Sequence, residues 1–372
     1  MNRLRSIIFI FLISALMAPV YGQKHLLLVG TYTDKGTSEG IYVYEFDSNT
    51  GKVAYKNKAT GIDNPSYLAI SHNRKFVYAA NEGKEGFVSA FAWNKKSGSL
   101  SFLGKQPANG TAPCYVAVDK NNQFLFEANY GSGNFSVYPI LKNGAPGKAV
   151  QVIQHSGHGM NKERQEGPHV HSTILSPDEK YLMVSDLGVD KIYVYRTDFT
   201  KGAKPLTPAA TPFVSTGQGN GPRHIDFHPN GKFVYSIQEL TGNVTAFAYK
   251  NGELKTLQNL SMVSPDFRGR TGAADIHVSP DGRFLYTSNR GEANDMAVFA
   301  IDPVTGHLTL KGRTGTLGDG PRNFVIDPSG QFLLVANQNT DNIVIFKRDK
   351  ETGLLTDSGE RIEVGSPVCL KF

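Results

Sequence analysis

Cysteine is almost missing from this chain of 372 residues: Cys114 and Cys369 are the only two. A disulfide framework is thereby excluded. The repeat described below sets the pair two units apart, so both are expected as buried small apolar residues rather than as a bridge. Charge is equally undramatic. The 39 Lys and Arg and 33 Asp and Glu are scattered, with a formal net charge of +6 and no dense basic run. Nucleic-acid binding gets little support from that distribution, while a mild attraction for anionic small molecules is permitted. No Gly-rich phosphate loop joins a strand to a helix, and no nucleophile elbow occurs. His169 and His171 are spaced as two ligands on one strand face, yet no further His or Cys follows in a zinc pattern, so no metal and no cofactor are expected. Apolar residues at 3.6-residue spacing over ten or more positions are also missing, which excludes a helical fold.

One long apolar run exists, over residues 7–20, behind Arg3 and Arg5 and ahead of Val20-Tyr21-Gly22. It is too short and wrongly flanked for a spanning helix. Residues 1–22 therefore read as a signal peptide, with Gln23 as the mature N-terminus and a periplasmic or extracellular destination. Without Arg3 and Arg5 the net charge falls from +6 to +4. No later stretch is long enough to span a membrane.

What the chain does have is a repeat. An apolar segment ending in a polar residue, Lys75-Phe76-Val77-Tyr78-Ala79-Ala80-Asn81, recurs with its end at Asn129, Asp186, Gln238, Asn289 and Asn337, at spacings of 48, 57, 52, 51 and 48 residues. The segment that follows carries an aromatic at Tyr44, Phe91, Tyr138, Tyr195, Phe247, Phe299 and Phe346. Self-similarity at this period signals a repeat architecture. The segments are short, rich in Val, Ile, Phe and Tyr, and punctuated by turns such as Pro229-Asn230-Gly231, Pro280-Asp281-Gly282, Thr305-Gly306 and Thr352-Gly353. That is strand chemistry. Four strands per unit, repeated seven times, predict an all-β, seven-bladed β-propeller over residues 23–372. The first unit starts on a second strand, His25-Leu26-Leu27-Leu28-Val29, whereas the chain ends on an opening strand, Ser366-Pro367-Val368-Cys369-Leu370-Lys371-Phe372. The C-terminal strand is expected to complete the first blade. Such a ring needs no partner, and a monomer is expected.

Within a blade the first two strands are antiparallel and innermost, so the start of the first and the end of the second rim one channel mouth. Polar residues at those places converge. His169 and His171 open the fourth blade, Arg223 and His224 the fifth, and Arg322 and Asn323 the seventh. Asp275 and His277 lie in the opening strand of the sixth. Gln238-Glu239 and Asn289-Arg290 end second strands, as do the milder Asn81-Glu82 and Asn129-Tyr130. A lone His in a strand is more often a satisfied core residue, and a lone Asn more often a turn residue. Two Arg, a Glu and one or two His on one rim are harder to explain as scaffold.

At these residues the sequence resembles the lactonase β-propeller family, which includes the propeller-type 6-phosphogluconolactonases and the fungal carboxy-cis,cis-muconate cyclases. The resemblance is carried by Arg164-Gln165-Glu166-Gly167-Pro168-His169-Val170-His171, Gly221-Pro222-Arg223-His224, Glu239-Leu240, the stretch from Ile276-His277 through Asn289-Arg290-Gly291, and Ala336-Asn337-Gln338. It implies hydrolysis of a sugar lactone, with a catalytic set that maps onto His171, Arg223, Glu239 and Arg290. Glu239 or His171 would be the base, and Arg223 or Arg290 would hold the oxyanion or an anionic substrate group. His169, Arg164, Asn289 and Arg322 are the expected substrate-binding residues. Because 6-phosphogluconolactone is a cytosolic intermediate, either residues 1–22 are not a signal peptide or the substrate is another lactone. An intramolecular lyase or cyclase of the muconate type, or a propeller that only binds a ligand, are the alternatives. Exposed aromatics at the rim would mark the binder; the expected rim is ionic.

Overall fold

A computed structural model describes residues 23–34 and 36–372. The expected signal segment, residues 1–22, lies outside them. Among the described residues the chain forms seven four-stranded antiparallel sheets, and the two helical turns are single 3-10 turns at Leu187–Val189 and Phe199–Lys201. The innermost strands are Pro65–Ile70, Pro113–Val118, Val170–Leu175, Pro222–Phe227, Ala273–Val278, Pro321–Ile326 and Pro367–Lys371. Each packs beside the next around the axis, and Pro367–Lys371 packs against both Pro321–Ile326 and Pro65–Ile70, so the ring closes.

The closure is the one expected from the chain ends. Pro367–Lys371 pairs antiparallel with Lys24–Thr31, placing the last strand of the chain innermost in the first blade. Among the described residues no other strand pairs with the inner edge of Lys24–Thr31, which would otherwise present its backbone groups unpaired. Cys369 lies on the C-terminal strand and Cys114 two blades away; both are buried free thiols.

Blades adhere through the aromatic residues that recur in the sequence. Phe91, Phe247, Phe299 and Phe346 are essentially fully buried between sheets. The Thr-Gly turns contribute a second contact. Gly306 and Gly353 have positive φ, +73° and +76°, and a Cβ on either would collide with the ring of Phe233 or Phe284 in the preceding blade. Glycine is required there by backbone conformation and by close approach together.

Candidate active site

The innermost strands share one irregularity that builds the site. Pairing with the second strand begins in register, Pro65 opposite Asn81, Pro113 opposite Asn129, Val170 opposite Asp186 and Pro321 opposite Asn337, and then slips by one residue. Blades five and six slip between Pro222 and Ile225 and between Ala273 and Ile276, and the C-terminal strand slips after Pro367. A bulge leaves a residue unpaired and re-aims its side chain. The residues at this position are Ser66, Cys114, His171, Arg223, Ala274, Arg322 and Val368, and all except Ala274 line cavities in the channel. A second ring comes from the residues just past the second strands, Tyr32, Glu82, Tyr130, Glu239 and Arg290.

The two rings meet around a cavity of about 180 Å³ lined by Glu82, Tyr130, Arg164, His171, Glu239, Arg290 and Arg322, with Cys114 beneath. Glu239 is its electrostatic centre. Its Oε1 accepts from Arg164 Nη2 at 2.6 Å, while Oε2 lies 2.9 Å from Arg223 Nε and 3.0 Å from Arg290 Nη2. Burial alone would raise this carboxyl's pKa, but Arg290, Arg223 and Arg164 outweigh it and hold the group at about 2. Arg223 is buried and donates to the carbonyl of Ala274. Burial, with Arg290 and Arg322 nearby, lowers its pKa to about 10, so it stays charged at neutral pH. Arg290 is oriented by Nε donating to Gly272 O at 2.9 Å.

Across the cavity Glu82 Oε2 accepts from Tyr32 Oη at 2.8 Å and lies 3.6 Å from Arg322 Nη2. Arg322 in turn sits over the Tyr32 ring, 5.4 Å from its centroid. His171 is buried, edge-on to Tyr130 and to His224, and its Nδ1 has no hydrogen-bond partner among the described residues. Burial, reinforced by Arg223, His224, Arg322 and Arg290, holds its pKa well below the ordinary histidine value. The ring is neutral. Burial also pushes the Cys114 thiol far up, which removes it as a nucleophile at neutral pH.

Beneath Arg223 runs a buried chain. His224 Nδ1 is 2.7 Å from Asp275 Oδ1, and Asp275 Oδ2 is 3.1 Å from His277 Nε2 and accepts from Asn323. Burial and Arg223 lower His224 to about 3, so its contact with Asp275 is a hydrogen bond from a neutral imidazole to a carboxylate rather than an ion pair. His277 moves the other way: burial would lower its pKa, but Asp275 and Asp226 raise it. Among the described residues no three His, Cys, Asp or Glu side chains gather as a metal site requires.

Of the residues expected from sequence, His171, Glu239, Arg223, Arg290, Arg164 and Arg322 come together. His169 and Asn289 do not enter the cavity. His169 precedes the first strand residue, so strand alternation with His171 does not apply. Its ring stacks on Tyr130 and bonds Tyr130 O and Glu166. Asn289 is buried and its Oδ1 accepts from Gly272 N. Both are supports of the wall. Tyr32 was missed by sequence reasoning, and Glu82 and Tyr130 were undervalued; the register position they share with Glu239 and Arg290 was the available signal.

A seven-bladed propeller with an arginine-rich acid–base cluster at one mouth is the class these features define. The chain belongs to the family described as lactonase, 7-bladed beta-propeller, which it matches over residues 26–372. It is 40% identical to a Bacillus subtilis protein named 6-phosphogluconolactonase, over 94% of this chain and 98% of that one. Among solved structures it is similar to a putative 6-phosphogluconolactonase from Bacteroides fragilis, at 42% identity and TM-score 0.89, covering 94% of this chain and 97% of that one. It is also similar to the periplasmic gluconolactonase of Pseudomonas aeruginosa, at 38% identity and TM-score 0.90, covering 94% and 98%.

Proposed function

We propose that this protein hydrolyses the ring ester of a sugar lactone in the cavity at the channel mouth. The observation that carries the reading is the convergence of four arginines, Arg164, Arg223, Arg290 and Arg322, on two glutamates beside a neutral histidine. The names of the relatives support the same chemistry. Four guanidinium groups against two carboxylates leave the site cationic, which favours a substrate with an acidic substituent. Beside the cavity a wider depression of about 660 Å³ is lined by Arg164, Arg270 and Arg290 and has room for that substituent.

Ester hydrolysis creates an oxyanion when water adds to the carbonyl carbon, and preorganised donors stabilise it. Arg164, Arg290 and Arg322 line the cavity and keep part of their side chains accessible; Arg164 closes on Glu239 Oε1, and Arg290 and Arg322 hold the oxyanion or the substrate's acid group. Arg223 is too deeply buried to touch substrate and acts by fixing Glu239. Glu239 is the clamp that sets the three guanidinium planes. With Nδ1 lacking an acceptor, the neutral His171 ring is best satisfied with its proton on Nε2, which makes it a donor to a substrate oxygen.

The pattern of residues 1–22 supports export and a periplasmic or extracellular site of action, and a periplasmic relative is in keeping with it. The mature protein is proposed to act as a monomer, free of the membrane. The experiment is a screen of purified protein against aldonolactones, phosphorylated and not, by acid release. Turnover of at least one, with one water consumed per ring opened, is expected; inertness toward the whole panel would overturn the proposal.

A further inference from the structure

The cavity holds two carboxylates, and they are not equivalent. Both oxygens of Glu239 are occupied, Oε1 by Arg164 and Oε2 by Arg223 and Arg290. A water molecule has no vacant oxygen to approach there without displacing a guanidinium. A proton delivered to this group would also have to overcome three positive neighbours. A general base needs a lone pair within hydrogen-bond reach of the attacking water and enough basicity to keep the proton. Glu239 keeps no oxygen clear of a guanidinium, and three positive neighbours oppose its protonation.

Glu82 offers both. Only its Oε2 is engaged, by Tyr32 Oη and Arg322. No hydrogen bond from a described residue reaches Oε1, the side chain is 22% exposed, and the residue lines the cavity with His171, Arg290 and Arg322. Tyr32 and Arg322 fix the carboxylate plane through one oxygen and leave the other to the cavity. Arg322 is shared with the place where negative charge develops, so base and oxyanion donor are held in one fixed relation.

Building on the lactonase reading above, we propose that Glu82 is the general base of the hydrolysis, with Tyr32 as its positioning residue. Water adds to the lactone carbonyl carbon while one of its protons passes to Glu82 Oε1, and the carbonyl oxygen becomes an oxyanion against guanidinium. The oxyanion then collapses, the bond from the carbonyl carbon to the ring oxygen breaks, and Glu82 returns its proton to that oxygen. One water is consumed, a hydroxy acid leaves, and Glu82 is again a carboxylate.

The test uses the full-length mature protein and a lactone that the wild type opens in the panel. Because a general base typically contributes ~10²–10⁴-fold, Glu82→Gln is expected to lower kcat by ~10²-fold or more with little change in KM. Glu82→Ala should recover turnover when formate is added, a readout that a merely structural role would not move. Thermal melts of both variants serve as the folding control, and the formate arm stays informative if Glu82→Gln is destabilised. A Glu82→Gln variant that retains kcat within about threefold of an active wild type overturns the assignment while leaving the lactonase reading intact. So does an inactive Glu82→Ala that formate does not rescue. A wild type inert toward every lactone overturns the lactonase reading itself, and Glu82 as base with it.

Discussion

Arg290 reaches from the end of a second strand in the sixth blade to Glu239 in the fifth, its Nη2 resting 3.0 Å from an oxygen that Arg223 approaches from below at 2.9 Å. The contact ties two blades together at the place where substrate has to bind. Strength and reactivity of the site are therefore coupled through one carboxylate.

Replacing that carboxylate by an amide strands Arg223 and Arg290 without a counter-charge in a buried setting. Breaking one side of a buried ion pair costs about 3–5 kcal/mol. Glu239→Gln is accordingly expected to lower the free energy of unfolding by that order in urea titrations. KM for an anionic lactone should rise as the arginines lose their orientation.

Acid should weaken the fold in two overlapping windows. Glu239 titrates at about 2 in the folded protein against an ordinary 4.5, so its stabilisation is complete above pH 4.5 and is lost as pH falls toward 2. His224, at about 3 against an ordinary 6.5, also takes up protons more readily when unfolded; its contribution is complete above pH 6.5 and shrinks as pH falls toward 3. His277 has the opposite sign. Its raised folded pKa adds stability below pH 6.5 that is lost as pH rises through the folded value. Urea midpoints followed against pH should show a shallower slope between pH 6.5 and 4.5 in His224→Gln, and a shallower one below pH 4.5 in Glu239→Gln.

His171 is held neutral by burial and by Arg223, His224 and the other arginines around it. Its ring resonances in long-range nitrogen-detected NMR should be those of a neutral imidazole at pH 6.5, where an ordinary histidine is half protonated. A midpoint near 6.5 for this residue would contradict the electrostatics of the cavity.

The ring was legible because six strands ending in Asn, Asp or Gln recur at near-constant spacing, and because His25-Leu26-Leu27-Leu28-Val29 starts one strand late. The cluster of arginines on Glu239 was legible for the same reason: strand ends fix which residues share a mouth. Side-chain direction was not. His169 and His171 are two residues apart, yet a bulge aims one into the cavity while the other braces Tyr130. Asn289 neighbours Arg290 but turns into the wall. Nor does sequence show that Arg223 would be buried, or that Glu82 would keep an oxygen free where both oxygens of Glu239 meet guanidinium groups.

The central claim is that ring opening takes place at the channel mouth under the arginines. It is tested most directly by proton release in a pH-stat, comparing wild type with Arg290→Ala on the best lactone substrate. Loss of one oxyanion donor should slow turnover by ~10²-fold or more. Undiminished proton release from a folded Arg290→Ala variant would place the chemistry elsewhere and contradict the account.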